Sequence, residues 1–517
     1  MCFSFGFLNP STILVSLSLG TVLFSTTFAL GQVSLDVILT GGRVMDPETG
    51  LDAIRDVGIS GQSIVAISQQ SLAPMLRPEG SRIDASGLVV APGFIDLHAH
   101  GQSDDAFRYR VHDGVTTALE LEWGYPRLVE WMGSRAGASR IHYGASASHG
   151  ILRVLAMLDS EPGRQNRIDQ INTAVAAAEP LNAFDELPFI KANRNNSLSE
   201  NATDLMMHLL DEELRHGGLG IGMAHQYYPG ASRREILRVF QFAATKRVPI
   251  FVHVRESGLG GMQEVIANAA ATGAPLHIVH INSMSGNELP EVLQLVGNAR
   301  DRGLDITAET YPYTAASTRI ESSFFDDGWQ QRLGISYNDL QWQDSGERLT
   351  AETFKIFRER KGVVIIHMMR EDLIELAVKT PFVMIASDAM PYASGAHPRS
   401  AGTFAKVLGH YVRERGSLDL MTALRKMTIM PAQRLESIAP TMKKKGRLQI
   451  GADADLVVFD SRTIIDTATY LGGLSYSKGI QHVLVSGTVV VGDGKLIEGK
   501  FPGKLVTGRL PEIKIEK

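Results

Sequence analysis

The stretch GFIDLHAH, residues 93–100, begins as an apolar run and ends in two histidines separated by a single alanine. On a β-strand, residues two apart point to the same side, so His98 and His100 would direct their imidazoles at a common point. In a barrel of parallel strands, the carboxyl ends of the strands form the active face. The stretch therefore predicts a buried barrel strand that delivers two ring nitrogens to one site.

Three further apolar runs carry polar side chains at the same end. IFVHV contains His253, LHIVHI contains His280, and FVMIASD ends on Asp388. Any one of them has an ordinary explanation, such as a hydrogen-bonded structural histidine or an aspartate that caps a helix. Four histidines and one aspartate at four strand ends instead predict a metal site with a position open for water, because neutral imidazole and carboxylate suit zinc and neighbouring metals.

The region from residue 93 to residue 438 alternates short apolar runs with helical stretches, which is typical of a parallel sheet. Nine runs qualify as strands, one more than a (β/α)8 barrel needs. We assign VVIIHM, 363–368, to an insertion before the last barrel strand. The predicted fold is an α/β structure, a (β/α)8 TIM-type barrel.

The two flanks of this region, residues 32–92 and 439–517, have short alternating strands separated by glycine turns. Because these strand-rich flanks enclose a region of alternating strands and helices, they predict one small sheet domain assembled from both ends of the chain.

The composition limits which classes of ligand the protein is expected to bind. The 517 residues carry a net charge of -5, so the basic surface typical of nucleic-acid binding is not expected and a small-molecule substrate is favoured. The single cysteine, Cys2, leaves histidine and carboxylate as the ligands of any transition-metal site.

The first 31 residues have the pattern of a secretory signal peptide. The apolar run TILVSLSLGTVLFSTTFALG ends in Ala-Leu-Gly before Gln32, a small-x-small cleavage pattern. An uncleaved membrane anchor is the alternative, and no Lys or Arg precedes the run, where an export signal normally has one. We predict an exported protein, periplasmic or secreted, without stable membrane insertion once the signal is removed.

The ordered motifs of the chain resemble those of the amidohydrolase superfamily and, within it, the N-acyl-D-amino-acid deacylase (D-aminoacylase) family. The resemblance covers most of the mature chain and rests on long motifs: PGFIDLHAH, GVTTALELEWG, GGLGIGMAHQYYPG, VHVRE, IVHINSMSG, AETYPYTAAST, ASDAMPY, HPRSAGTF and GADADLVVFD. It implies that the flanks form a small β-sandwich beside the barrel. It also implies which residues bind metal: His98, His100, His253, His280 and Asp388.

One motif departs from the family pattern. Family members commonly carry a metal-binding cysteine in a segment like GNCG, whereas this chain has Trp123 at that position. The alternation along residues 115–122 turns Glu120 and Glu122 towards the barrel interior, where buried carboxylates need cations. We predict that Glu122, nearer the active end, replaces the cysteine as a metal ligand, with Glu120 as the second choice; an ordinary pairing of both with basic side chains is the alternative.

Other side chains are assigned around this centre. The resemblance makes Arg399 the partner of the substrate carboxylate, since a guanidinium matches a carboxylate bidentately. Tyr313 is expected to hydrogen-bond the developing oxyanion, and Tyr228, or its neighbour Tyr227, to line the acyl pocket. Many deacylases have a lysine where this chain has Asn282, which leaves the preferred substrate side chain open.

Together these features predict a metal-dependent enzyme that hydrolyses the amide bond of N-acyl amino acids, in particular N-acyl-D-amino acids. One or two divalent ions, zinc or a similar metal, would activate water, and Asp388 would shuttle the proton. Two alternatives stay open: a cyclic-amide hydrolase or dipeptidase (hydantoinase, dihydroorotase or isoaspartyl dipeptidase-like), and a non-catalytic scaffold on the same fold. The oligomeric state is not predicted.

Overall fold

The computed structural model describes residues 34–176 and 187–510. The predicted signal segment, residues 1–31, lies outside the described residues. Within the described parts of the chain, no helix is long and apolar enough to cross a bilayer.

The centre of the molecule is an eight-stranded parallel sheet that curves into a nearly closed barrel, as predicted. Its strands are β6 Phe94–Asp96, β7 Val115–Tyr125, β8 His142–Ser148, β9 Ile221–Ala224, β10 Ile250–His253, β11 Leu276–Ile278, β12 Ile306–Thr310 and β16 Val383–Ile385. Their hydrogen-bonded order is β16-β12-β11-β10-β9-β8-β7-β6. The barrel closes where Ala99 forms a bridge with Ala389, just beyond the last residues of β6 and β16.

Helices surround the barrel and bury their apolar faces against it. Several begin at a side chain that caps the first turn; Ser199 and Ser232, for example, accept hydrogen bonds from backbone N–H groups at the third helical position. The helices are Asp104–Val111, Leu128–Arg135, His149–Met157, Arg164–Ala176, Pro188–Asn193, Glu200–Arg215, Arg233–Lys246, Leu259–Thr272, Ile281–Ser285, Leu289–Asp301, Trp329–Leu333, Ala351–Arg360, Glu371–Lys379, Arg399–Lys406, Leu420–Met427 and Ile429–Leu435, with a π-helical turn at Val407–Glu414. Short 3-10 turns lie at Ala73–Met75, His225–Tyr227, Gly286–Glu288, Ser323–Phe325, Tyr337–Asp339 and Pro440–Lys444.

An insertion between β12 and β16 forms a separate three-stranded antiparallel sheet. It contains β13 Ala315–Arg319, β14 Leu340–Trp342 and β15 Val363–His367, in the order β13-β15-β14. The run VVIIHM thus lies in an insertion outside the barrel. This was predicted because the sequence has nine candidate strands and a barrel needs eight. The insertion has its own aromatic core, and β13 lies at the active end of the barrel.

The small domain is one nine-stranded sheet to which both ends of the described chain contribute, as predicted. The strands are β1 Leu35–Asp46, β2 Leu51–Ser60, β3 Ser63–Ser68, β4 Leu76–Asp84, β5 Val89–Pro92, β17 Leu456–Phe459, β18 Ile480–Val485, β19 Thr488–Gly492 and β20 Lys495–Leu496. The two halves join where β5 pairs antiparallel with β17. Because β5 leads within two residues into β6, this sheet holds the first barrel strand, and with it His98 and His100, in place.

Candidate active site

Four histidines converge on one carboxylate at the carboxyl end of the barrel strands. Glu122 Oε2 lies 3.1 Å from His98 Nε2 and 3.2 Å from His100 Nε2. Its other oxygen, Oε1, lies 2.7 Å from His253 Nδ1 and 3.0 Å from His280 Nε2. All five side chains are buried. The carboxylate therefore stands between two pairs of imidazole nitrogens, one pair at each oxygen.

Asp388 completes the cluster on the side of the first strand. Its Oδ1 lies 3.4 Å from His98 Nε2 and 3.3 Å from His100 Nε2, and its Oδ2 lies 2.9 Å from Arg399 Nη1. Asp388 and His280 have positive φ angles of 50° and 29°, a conformation that costs a side-chain-bearing residue free energy and is concentrated at functional sites. The six residues predicted as metal ligands are thus brought together.

A break in strand pairing places Glu122 at this point. On β7, Glu120 pairs with Ala145 of β8, but the next paired residue is Tyr125, opposite Ala147. From one pair to the next, β7 continues for five residues and β8 for only two. The extra residues of β7 form a bulge. Gly124, with φ of 66°, allows the bulge to turn close to the carbonyl of Ser146. The bulge carries Glu122 to the histidines and also turns its neighbour Trp123 into the cleft above them.

Three of the histidines are oriented by hydrogen bonds from their outer nitrogen. His98 Nδ1 donates to Glu309 Oε1 at 2.5 Å, and His100 Nδ1 donates to Glu120 Oε2 at 2.8 Å. His253 is reversed: its Nε2 donates to Gln226 Oε1 at 2.7 Å, so its Nδ1 faces Glu122. Each of these rings thereby directs its other nitrogen at the centre, the arrangement typical of metal-ligating histidines.

The pKa values of the central side chains are set by two opposing effects, their burial and the charges of their neighbours. Burial by itself lowers the pKa of His98 and His100, but the surrounding carboxylates outweigh it and hold both values well above normal. Burial likewise favours a high pKa for Glu122, yet contacts with His98 and the other three rings hold it well below normal. The site thus keeps its carboxylates ionised and requires cations among them, which protonated rings or a divalent metal supply.

The donor set fits a metal centre. Ligand atoms of His98, Glu122 and His280 lie within 4.8 Å of one another, and so do those of His98, His100 and Asp388. Imidazole nitrogen with carboxylate oxygen is the ligand chemistry of zinc and similar divalent metals, whereas the thiolate usual in the resembled family is absent from the cluster.

A cleft opens over the cluster. Its floor contains His100, Glu122, His253, His280 and Asp388. Its walls come from barrel loops and from the insertion sheet and are mostly apolar: Trp123, Tyr227, Met284, Tyr311, Ala316, Phe324, Ile366, Met368, Met390 and Pro391, with Ser283, Ser317, Thr318, Arg319 and Arg399 as the polar members.

Arg399, predicted to bind the substrate carboxylate, lines the cleft beside Asp388. Its Nη2 donates to the Ser317 carbonyl at 3.3 Å, and the guanidinium stacks 4.7 Å above the ring of Tyr311. Asn282 is buried beneath this region and donates to the Tyr311 carbonyl at 3.2 Å; it is not among the residues that line the cleft.

Two tyrosine assignments need correction. The hydroxyl of Tyr313 donates to Asp466 at 3.0 Å, away from the cluster, and Tyr311, two residues earlier, lines the cleft instead. Tyr228 packs its ring directly on Gly150 in the core, while Tyr227 lines the cleft and bonds to Thr318. The cleft is thus lined by Tyr311 in place of Tyr313 and by Tyr227, the alternative to Tyr228, because the backbone leaves regular strand geometry after β9 and β12 and residue parity no longer decides direction.

Three supporting residues were missed by the sequence analysis. Glu309 joins His98 to His277, whose Nε2 donates to Glu309 Oε2 at 3.0 Å, and Gln226 orients His253. Glu309 and Gln226 belong to the motifs AETYPY and AHQYYP that carried the family resemblance. His277 stands three residues before His280 in the strand motif LHIVHI, where a buried polar residue facing the interior was a usable signal.

The comparisons with known proteins agree with this geometry. A family model described as "Amidohydrolase family" matches residues 82–491, so the chain belongs to this amidohydrolase family. Two curated relatives come from Alcaligenes xylosoxydans xylosoxydans, and each is 28% identical. The N-acyl-D-glutamate deacylase aligns over 484 residues, 89% of this chain and 94% of the relative. The D-aminoacylase aligns over 485 residues, 88% and 94% of the two chains.

Solved structures show the same fold. A crystal structure of D-aminoacylase superposes with a TM-score of 0.74 at 25% identity and covers 92% of this chain and 100% of that one. A structure of a D-hydantoinase from a Bacillus species superposes with a TM-score of 0.57 at 15% identity. The family resemblance predicted from the motifs is therefore confirmed.

Proposed function

We propose that this protein hydrolyses the amide bond of N-acyl-D-amino acids, giving a carboxylic acid and a free amino acid. The observation that carries the proposal is the cluster of four histidines around Glu122, with Asp388 joined to Arg399 at its edge. The relatives that align over nine-tenths of the chain act on N-acyl-D-amino acids by name, and the dihydroorotase relatives align less well, at 24% identity.

The residues present would hold one or two divalent ions, zinc or a similar metal, as in the binuclear centre of D-aminoacylase. The side chains close enough to hold an ion together are His98, His100 and Asp388 in one group and His98, Glu122 and His280 in another, and His253 contacts the same Glu122 oxygen as His280. When bound, a metal at this position lowers the pKa of water and polarises the scissile carbonyl.

The side chains of the chain supply binding and proton transfer. Arg399 pairs with the substrate carboxylate, which places the amide nitrogen near Asp388. Asp388 takes a proton from the attacking water and returns it to the leaving nitrogen. Burial raises the pKa of the Tyr311 phenol above its ordinary value, so Tyr311 stays protonated and serves as the hydrogen-bond donor to the oxyanion, the role first assigned to Tyr313.

A substrate panel tests the proposal. The metal-loaded protein is assayed with N-acetyl-D-amino acids, their L-isomers, hydantoins, dihydroorotate and β-aspartyl dipeptides. We expect cleavage of the linear N-acetyl-D-amino acids and a loss of about 100-fold or more in kcat for D388N. Cleavage of cyclic amides alone would favour the hydantoinase alternative.

Metal analysis separates an enzyme from a non-catalytic scaffold. We expect at least one divalent ion per chain after purification without chelator. A protein that binds no divalent ion, and in which D388N changes nothing measurable, would support the scaffold.

We propose in addition that residues 1–31 direct export and that the mature protein acts in the periplasm or outside the cell. The apolar run and the Ala-Leu-Gly sequence before Gln32 support this. Expression of the full chain, followed by cell fractionation and intact mass measurement, should give an exported product beginning at Gln32. A full-length, membrane-bound product would indicate an anchor instead.

A further inference from the structure

Trp123 and Tyr227 form an aromatic pair on one side of the cleft. Their ring centroids are 4.8 Å apart at an interplanar angle of 43°. Tyr227 also contacts the ring of His253 edge-on at 5.1 Å, and its hydroxyl is bonded to Thr318 Oγ1 at 3.0 Å. The pair is therefore held against the metal-ligand cluster on one side and against the insertion sheet on the other.

The bulge in β7 is what makes Trp123 available. In a regular strand, Trp123 would point away from the side to which Glu122 points. Both residues line the same cleft because pairing is interrupted between Glu120 and Tyr125. The backbone N–H of Trp123 donates to Glu120 Oε1 at 3.2 Å, so the carboxylate that orients His100 also fixes the position of the tryptophan.

The contacts across the site run in a definite order. Arg399 contacts Asp388, which contacts the rings of His98 and His100. Those rings contact one oxygen of Glu122, and the other oxygen contacts His253. Tyr227 and Trp123 follow beyond His253. Arg399 and the aromatic pair thus contact different members of the ligand cluster, Asp388 and His253. Both also reach β13, where Arg399 donates to the Ser317 carbonyl at 3.3 Å and Tyr227 bonds to Thr318 at 3.0 Å.

An N-acyl amino acid has the same linear order: carboxylate, α-carbon, amide nitrogen, carbonyl carbon, acyl substituent. With its carboxylate on Arg399 and its carbonyl over the ligand cluster, the acyl substituent extends towards the aromatic pair. We propose that Trp123 and Tyr227 form an acyl subsite that selects large, flat apolar acyl groups, the arylacyl class, over acetyl. This inference rests on the proposed deacylase function.

The chemistry of this end of the cleft suits an aromatic ring. Phe324 adds a third aromatic side chain to the same cleft, and the only charged neighbour on β13, Arg319, is paired with Glu321 at 2.6 Å. Aromatic rings attract one another in tilted and edge-on arrangements, beyond the gain from burying apolar surface. An acetyl group is too small to make these contacts.

The test is an acyl series on a single amino acid. N-acetyl-, N-butanoyl-, N-hexanoyl- and N-phenylacetyl-D-leucine are compared by kcat/KM in the wild type, W123A, W123F and Y392A. Tyr392 is an exposed aromatic residue outside the cleft lining and serves as the matched control. We expect the wild type to prefer phenylacetyl over acetyl by about tenfold or more, W123A to lose that preference, and W123F and Y392A to retain it. Inhibition by phenylacetate should weaken in W123A, whereas inhibition by acetate should change less.

Separate outcomes overturn the inference and the function. An equal kcat/KM along the acyl series, or a W123A protein whose discrimination changes among amino-acid side chains rather than acyl groups, overturns the acyl subsite while the deacylase function stands. A protein that cleaves none of the N-acetyl-D-amino acids of the substrate panel overturns the function itself, and the acyl series is made on whichever amino acid of that panel is cleaved best. If W123A loses metal or does not fold, the same ratios are measured with Y227L, which removes the other ring of the pair.

Discussion

Glu122 joins the two halves of the candidate metal centre. Its two oxygens face two separate pairs of ring nitrogens, whereas Glu120 contacts only the outer nitrogen of His100. A carboxylate with two oxygens spans more space than a single sulfur, and it favours harder metals than a thiolate does. A metal held by Glu122 would therefore have a harder ligand set than a site that contains a thiolate.

The first prediction compares these two glutamates. E122Q should reduce the metal bound per chain and reduce kcat/KM by more than E120Q does, because it removes the charge that lies between the two pairs of histidine nitrogens. E120Q leaves that charge in place and should cost about 10- to 100-fold, the usual effect of losing an orienting partner of a metal ligand. Elemental analysis and steady-state kinetics measure both quantities. Equal losses in the two variants would mean that Glu122 does not bridge.

At the scale of the element, the bulge of β7 decides which side chains reach the cleft. Only one residue of β8, Ser146, faces the four residues of β7 between its paired positions 120 and 125. This surplus is tolerated because Gly124 adopts a positive φ and has no side chain against Ser146. The consequence is a single segment that supplies both a metal ligand and a wall of the cleft.

The second prediction tests the bulge. In G124A, the new Cβ would meet the Ser146 carbonyl oxygen at 2.5 Å, so the segment has to move. The φ of 66° also becomes strained, at a cost of about 1–2 kcal/mol. We expect a lower free energy of unfolding together with a loss of metal and activity.

G137A is the matched control for this prediction. Gly137 has a similar φ of 74°, but a Cβ added there would have nothing within 4 Å. G137A should therefore show the backbone cost alone and keep its metal. Unfolding by denaturant and elemental analysis compare the two. Normal metal content in G124A would show that the bulge does not position Glu122.

At the scale of the whole molecule, a buried carboxylate forms hydrogen bonds that connect the small sheet domain to the barrel. Asp455, just before β17, accepts hydrogen bonds from His142 of β8 at 3.0 Å and from Lys445 at 2.6 Å. It also accepts from the Ser486 N–H at 2.7 Å. Burial by itself raises the pKa of Asp455, but the His142 ring and the Lys445 ammonium outweigh it and hold the pKa far below normal.

The third prediction follows from the sign of that shift. Because the folded pKa lies below the unfolded value near 3.9, the stabilisation is fully present above about pH 5 and is lost as the pH falls below it. D455N should lower the free energy of unfolding at pH 7 by about 3 kcal/mol, since it removes the buried negative charge that His142 and Lys445 contact. The difference from the wild type should shrink towards pH 3.

D453N is the control for Asp455. Asp453 contacts the same lysine at 3.0 Å but is partly exposed, so its loss should cost about 1 kcal/mol or less. Denaturant unfolding at several pH values separates the two variants. A D455N deficit that does not depend on pH would mean that the carboxylate charge does not fasten the domains.

The amino-acid sequence by itself determined the barrel, the insertion, the two-ended small domain and the identities of the residues that meet at the centre. It could do so because strand periodicity and the position of polar residues at strand ends are local properties of the chain. The sequence also predicted Glu122, because the alternation of residues 115–122 turns it inward, although the bulge after Glu120 sets where its carboxylate lies.

Only the tertiary structure decided what lies beyond the ends of the strands. Tyr311 rather than Tyr313, and Tyr227 rather than Tyr228, reach the cleft because loop backbone there follows contacts with the insertion sheet and the small domain instead of a two-residue period. The joint exposure of Glu122 and Trp123 depends on a mismatch between two strands, and the support of His98 by Glu309 joins residues 211 positions apart. Such features arise from pairing between distant segments, which no single stretch of sequence encodes.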